Sequence, residues 1–195
     1  MAKTKVKTRI LDVAAKLFYT NGYNATGINE IIAKAEIAKA TLYHHFKSKE
    51  AICLAYLEQR HSTFIKGLKV YVKERPTGRL QLLAIFDYLR EMYRNDEFFG
   101  CWAIKTFCEL PQDNTQIVAL IQKQKKELLF FLGEVVGENL KNLSIAETEK
   151  ISGGLYMLYE SAITESHLHK DDWPIHLARS IAPSLYGNAI EKTKT

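Results

Sequence analysis

The sequence predicts an all-α protein. Only four of its 195 residues are proline. Apolar residues recur at three- and four-residue spacing along most of the chain, and the alternation of a half-buried strand is scarce. Apolar residues make up 47% of the chain, enough to bury a sizeable core in one or two domains. No run of about 18 apolar residues occurs, so no membrane span is predicted. The N-terminus MAKTKVKTRI lacks the apolar centre of a secretion signal. Cys53, Cys101 and Cys108 form neither an even disulfide set nor a ligand-spaced pair. A reducing, cytoplasmic compartment is expected.

The first helix is expected from about Lys5 to Asn21. Ile10, Val13, Ala14, Leu17 and Phe18 recur at helical spacing, and Gly22 is its stop. Thr26 reads as the N-cap of a second helix that ends near Ala35. A turn at Glu36-Ile37-Ala38 leads to a third, short helix from about Lys39 to His45. Ser48 caps a fourth, which continues toward Lys73. The loop ERPTG at 74–78, with Pro76 and Gly78, is the clearest boundary. Beyond it, Leu82, Leu83, Phe86, Leu89 and Tyr93 make an amphipathic helix over 79–94. A sixth helix spans about 99–109 and stops at Pro111. A long seventh runs from about Asn114 to Leu140, an eighth over 145–168, and a ninth over 173–189, where Pro183 predicts a kink. The expected total is nine helices.

Residues 22–52, GYNATGINEIIAKAEIAKATLYHHFKSKEAI, carry the strongest signal. Ile28, Ile31, Ile32, Ala35, Ile37, Leu42 and Phe46 fit the inner faces of two short helices joined by a tight turn. The outward residues of the second are Lys39, Ala40, Thr41, Tyr43 and His44. Small, hydrogen-bonding and basic side chains are what a helix needs to enter the major groove and reach base edges and phosphates. Charge agrees. The net formal charge is +5, and residues 1–60 hold 10 Lys or Arg against 5 Asp or Glu, so the whole excess lies there.

This stretch resembles the DNA-binding helix-turn-helix of the TetR family of transcriptional regulators, most specifically in the run TLYHHFKSKEA. The resemblance is specific over residues 8–52 and mainly architectural beyond them. It implies a DNA-binding domain at 1–50 and a helical ligand-binding and dimerisation domain at 51–195. It also implies Thr26, Gly27, Lys39, Ala40, Thr41, Tyr43, His44 and Lys49 as DNA-contacting positions. FFGCWAIKTFCEL at 98–110 resembles a subgroup with a Gly-Cys-Leu motif before the sixth helix, with Trp102 in place of Leu. Two positions depart from the family pattern. Glu36 replaces a turn glycine that commonly needs positive φ, and Ala38 replaces a capping serine; each costs on the order of 1 kcal/mol.

The expected mechanism is a dimeric repressor released from a palindromic operator by a small hydrophobic effector. Phe86, Tyr88, Tyr93, Trp102, Phe107, Tyr156 and Tyr159 are candidate pocket walls, and Lys105 and Thr106 candidate polar groups, with Glu109 beside them. The same residues also suit a plain core and an outer helix face. Gly153, Gly154, Leu158, Ser161, Ala162, Leu177 and Ile181 suit a dimer interface built from the last two helices, or equally packing within one chain. A second reading is a thiol-responsive regulator using Cys101 or Cys108, which lie seven apart on similar faces of the sixth helix, with Lys105 between them able to lower a thiol pKa. A third is a small helical enzyme or carrier, against which the charge partition argues. His167, His169 and His176 with Asp171 and Asp172 form only a weak metal pattern. No cofactor, metal or catalytic constellation is assigned.

Overall fold

The computed structural model describes residues 2–94, 98–110 and 115–187. Among them are nine α-helices and no strand: α1 (Ala2–Thr20), α2 (Ile28–Lys34), α3 (Lys39–His45), α4 (Lys49–Lys73), α5 (Arg79–Arg94), α6 (Trp102–Glu109), α7 (Thr115–Asn139), α8 (Ile145–His169) and α9 (Trp173–Ile181). None of these helices is long and apolar enough to cross a membrane.

The helices form two compact units, and the boundary differs from the one expected at residue 50. The first comprises residues 1–63 with 102–123, and the second residues 64–101 with 124–195. α6 thus belongs with the helix-turn-helix. In the first unit Ile10, Ala14 and Phe18 of α1, Ile31 of α2, Leu42 of α3, and Ile52 and Tyr56 of α4 are fully or almost fully buried. The Phe18 ring lies 5.6 Å from both Tyr23 and Tyr56. Such contacts let helices of seven residues, too short to persist alone, hold their shape.

In the second unit α9 packs on α8 and α5. Leu82, Phe86, Leu89, Leu155, Tyr159, Ile163 and Ile175 fill the core. Arg179 Nε meets Asp87 Oδ1 at 2.7 Å and Arg90 Nε meets Asp172 Oδ2 at 3.2 Å, so two ion pairs tie α9 and its cap to α5. α8 opens on a full capping box: Ser144 Oγ accepts from the Glu147 amide, and the Glu147 carboxylate accepts from the Ser144 amide.

Several sequence expectations need correction. α6 starts at Trp102, so Cys101 precedes the helix and does not share a face of it with Cys108. The two cysteines even fall in different units. The ninth helix stops at Ile181, because Pro183 lacks the amide that an α-helix would use there; residues 182–185 form a 3₁₀ turn instead. Pro111, Asn114, and residues 188 and 189 lie outside the described residues.

The dimer candidates divide. Ala162 is buried within its own chain. A methyl added at Gly154 would come within 2.9 Å of Leu185 Cδ1, so that glycine serves packing inside the chain. Gly153 and Leu158 are half-buried and Ser161 is exposed. Leu177 and Ile181 are exposed, as are Met157, Leu168 and Trp173, which the sequence pattern did not single out. His169 pairs with Glu165 and His176 with Asp172. No group of three or more metal-ligating side chains forms among the described residues.

Candidate nucleic-acid interface

α2 and α3 are joined by a backbone motif that orients the second helix. The Glu36 amide donates to Ala33 O at 3.2 Å and the Ile37 amide to Ile32 O at 3.3 Å. These two bonds define a Schellman stop, which requires a left-handed residue between them. Glu36 supplies it with φ of 51°. The positive φ expected for a glycine is therefore kept, at a cost, by a glutamate. Ala38 is the N-cap of α3 and offers no side-chain bond, as its methyl dictates.

Because Glu36 is exposed and strained, Glu36→Gly is expected to stabilise the protein by about 1 kcal/mol. That corresponds to a rise of roughly 2–4 °C in melting midpoint for a chain of this size. DNA affinity should stay equal or rise, since a negative charge near the phosphates is removed. A lowered midpoint together with weaker binding would assign Glu36 a positive role.

α3 divides cleanly by face. Leu42 is fully buried and Phe46, its C-cap, nearly so. Lys39, Ala40, Tyr43 and His44 are exposed, and Thr41 is half-exposed. His45 is half-buried, with its ring edge-on to His44 at 5.2 Å. Five outward groups of the expected chemistry therefore lie along one seven-residue helix. α4 begins under the cap of Ser48, whose Oγ accepts from the Ala51 amide at 3.0 Å. Lys49 sits in the first turn, its Nζ 4.4 Å over the Tyr23 ring. Partial burial holds its pKa below the ordinary lysine value.

Thr26 is a correction. It is fully buried, and its hydroxyl donates to Gly22 O at 2.7 Å. It therefore does not cap α2; Gly27 is the N-cap. Of the two expected contacts at this helix start, only Gly27 is exposed.

Sequence reasoning missed how α6 is fastened to this unit. Lys105 Nζ donates to the carbonyls of Tyr19 and Thr20, at 2.8 and 3.0 Å, and so satisfies the last turn of α1. Glu109 Oε2 accepts from the Asn24 amide at 2.7 Å, and Asn24 Nδ2 donates back to Glu109 O at 2.7 Å. Gly22 stands here at φ of 99°, and a methyl on it would collide with the Glu109 carboxylate. The Arg60 guanidinium lies 4.2 Å over the Tyr19 ring and 5.6 Å over Trp102. The one local signal was Gly22, read only as a helix stop.

These bonds correct the pocket expectation. Lys105 is committed to backbone carbonyls, and Thr106 is buried with its hydroxyl donating to Trp102 O. Trp102 is buried and Phe107 exposed. Phe86 and Tyr159 are closed core, while Tyr88, Tyr93 and Tyr156 are half-buried. The nine candidates divide between the two units: Trp102, Lys105, Thr106 and Phe107 fall in the first. Within the second unit, a groove of about 580 Å³ between α7 and α8 is lined by Leu129, Phe130 and Gly133 together with the charged Lys126, Glu134 and Glu149, and none of the nine lines it.

The thiol reading also changes its cation. Lys125 Nζ, not Lys105, lies 3.3 Å from Cys101 Sγ. It is held at 2.6 Å by both oxygens of Glu160. Burial lowers the Lys125 pKa, but Cys101 and Glu160 outweigh it and the net shift is upward. Cys53 is buried, and burial pushes its thiol up to about 12.

Residues 10–56 match the family described as bacterial regulatory proteins, tetR family. The chain is 47% identical over 57 residues to the HTH-type transcriptional regulator QacR of Staphylococcus aureus, spanning 29% of this chain and 30% of that one. It is 27% identical over 139 residues to the fatty acid metabolism regulator protein of Bacillus subtilis, covering 71% and 70% of the two chains. Its fold superposes on a TetR-family transcriptional regulator from Streptomyces coelicolor with a TM-score of 0.86 at 21% identity, over 94% of this chain and 89% of the other. With the helix-turn-helix geometry, these likenesses identify residues 10–56 as a helix-turn-helix of the tetR family, set in a chain whose fold is that of TetR-family transcriptional regulators.

Proposed function

We propose that the protein is a dimeric repressor that binds a palindromic operator through Gly27, Lys39, Ala40, Thr41, Tyr43, His44 and Lys49, and leaves it when a small, largely apolar effector binds. The observation that carries this reading is the exposed face of α3, set against a buried Leu42 on the unit that holds the charge excess. Dimerisation supplies the two recognition helices that half-sites about 34–36 Å apart require. The exposed apolar side chains Met157, Leu168, Trp173, Leu177 and Ile181 on α8 and α9 support a second copy as their cover. The half-buried tyrosines of the second unit and its groove between α7 and α8 support an apolar effector. The effector then acts by favouring an arrangement of the recognition helices that no longer fits the operator.

The test starts by selecting a duplex from a random-sequence library with the purified protein. A palindrome should be recovered, bound by a species that light scattering reports as a dimer. Affinity should fall steeply between about 50 and 200 mM salt. A monomer, or binding indifferent to salt in that range, would overturn the reading.

A second reading, a thiol-responsive regulator, is favoured by the contact of Lys125 with Cys101. Cys101→Ser separates the two. Release of the operator by peroxide that is abolished in this variant supports the thiol. Release by an apolar compound that persists in the variant and reverses on dialysis supports the effector.

A further inference from the structure

We infer that Glu109 of α6 is a positioning residue for DNA binding: it fixes the loop between α1 and α2 and, through the Tyr23 ring on that loop, seats Lys49 for a phosphate; this rests on the operator-binding reading above. Glu109 meets the loop twice. Its Oε2 accepts from the Asn24 amide at 2.7 Å, and its own backbone carbonyl accepts from Asn24 Nδ2 at 2.7 Å. Both bonds span 85 positions of sequence inside one compact unit. Beside them Gly22 takes φ of 99°, and a methyl there would collide with the same carboxylate. The Thr26 hydroxyl donates to Gly22 O at 2.7 Å and ties the two ends of the loop together.

Tyr23 stands between Gly22 and Asn24 in sequence, so the residues fitted to Glu109 flank it. Lys49 Nζ lies 4.4 Å over its ring. Among the described residues, no carboxylate pairs with Lys49. A ring holds an ammonium in place without neutralising it, which leaves the charge for a phosphate. Burial lowers the Lys49 pKa, and Cys53 and Glu109 oppose that shift. Burial also pushes the Cys53 thiol up to about 12, so it is uncharged at neutral pH and Glu109 supplies the opposing charge. Glu109 thus sets the ring that carries Lys49 and favours the charged form of Lys49.

Stability explains little of this arrangement. Asn24 is exposed, so water replaces a lost partner there at small cost. Charge explains none of it. An acid beside the basic first 60 residues weakens their attraction for a polyanion. What the carboxylate supplies is geometry, at the loop on which Lys49 rests.

The experiment uses the full-length protein, the palindromic duplex selected by the wild type, and a scrambled duplex of equal length. Affinity is followed by fluorescence anisotropy across a salt series. Glu109→Ala should weaken binding to both duplexes by about two- to tenfold. The slope of log affinity against log salt should become shallower by about 0.9 for each phosphate that Lys49 no longer neutralises. The preference for palindrome over scramble should stay unchanged, because phosphate contacts carry no sequence information. Charge alone predicts the opposite sign, since an anion is removed. Glu109→Gln keeps an acceptor for the Asn24 amide and should bind at least as tightly as the wild type. Asn24→Ala leaves α6 and every charge intact and should reproduce the loss. In a Lys49→Gln background, Glu109→Ala should not change the slope further. Unchanged or tighter binding by Glu109→Ala overturns the inference, and so does an equal loss in Glu109→Gln. If Glu109→Ala loosens the fold, Asn24→Ala decides, and a wild-type slope in that variant overturns the inference. Failure of the wild type to select any duplex would instead overturn the operator-binding reading.

Discussion

Replacing Lys39, Thr41 and Tyr43 together with alanine is expected to abolish specific operator binding while the circular dichroism spectrum stays that of the wild type. Each side chain that touches a base edge or phosphate should contribute roughly 1–3 kcal/mol. In a dimer each removal counts twice. The fold should survive because none of the three is a core residue: Lys39 and Tyr43 are exposed and Thr41 is half-exposed. Leu42→Ala is the contrasting case. Leu42 is fully buried between these positions, and its truncation should cost about 2–5 kcal/mol of stability. Loss of binding with an intact melt in the first variant, and a lowered melt in the second, separates DNA contact from scaffold. Wild-type binding by the triple variant would show that another face enters the groove.

The second large effect is expected at Glu160. Its carboxylate holds Lys125 Nζ at 2.6 Å through both oxygens, and the two side chains are only 17% and 19% exposed. Glu160→Ala strands an ammonium in a poorly solvated site beside the Cys101 sulfur. Breaking a buried pair in this way costs about 3–5 kcal/mol, whereas replacing both partners by apolar groups is often neutral or better. Urea unfolding should therefore show a large loss of stability for Glu160→Ala and a much smaller one for Lys125→Met combined with Glu160→Leu. The sign of the pH dependence follows from the raised pKa of Lys125 in the fold. The contribution of the pair is fully present below the unfolded lysine value near 10.5 and is lost as pH rises through the folded value. The gap between wild type and Glu160→Ala should accordingly close in strongly alkaline solution. A gap below about 1 kcal/mol at neutral pH would mean that solvent screens the pair.

Much of the DNA-binding unit was legible because its signals are local. The bounds of α3 follow from a turn before it and an apolar pair, Leu42 and Phe46, one turn apart. Glu36 was expected at positive φ because it stands where the resembled family commonly has a turn glycine, and it adopts φ of 51°. Ser48 was expected to cap α4, and its Oγ does so. The charge excess on residues 1–60 is a property of composition alone. Thr26 misled because a threonine before a helix is the usual sign of a cap, and only the path of the loop sends its hydroxyl back to Gly22.

The sequence alone thus determined an all-α chain, a helix-turn-helix with its outward face, and a basic first third, since periodicity, turn chemistry and charge act within a few residues. Tertiary structure alone decided which groups are already occupied. Lys105 meets Tyr19 and Thr20 across 86 and 85 positions, and Glu109 meets Asn24 across 85. The cation beside Cys101 comes from 24 residues away in Lys125, not from its neighbour in sequence, Lys105. A lysine or glutamate on a short amphipathic helix looks free until the chain folds back on it. Side-chain pairing over such separations is set by how helices pack, and no local pattern records it.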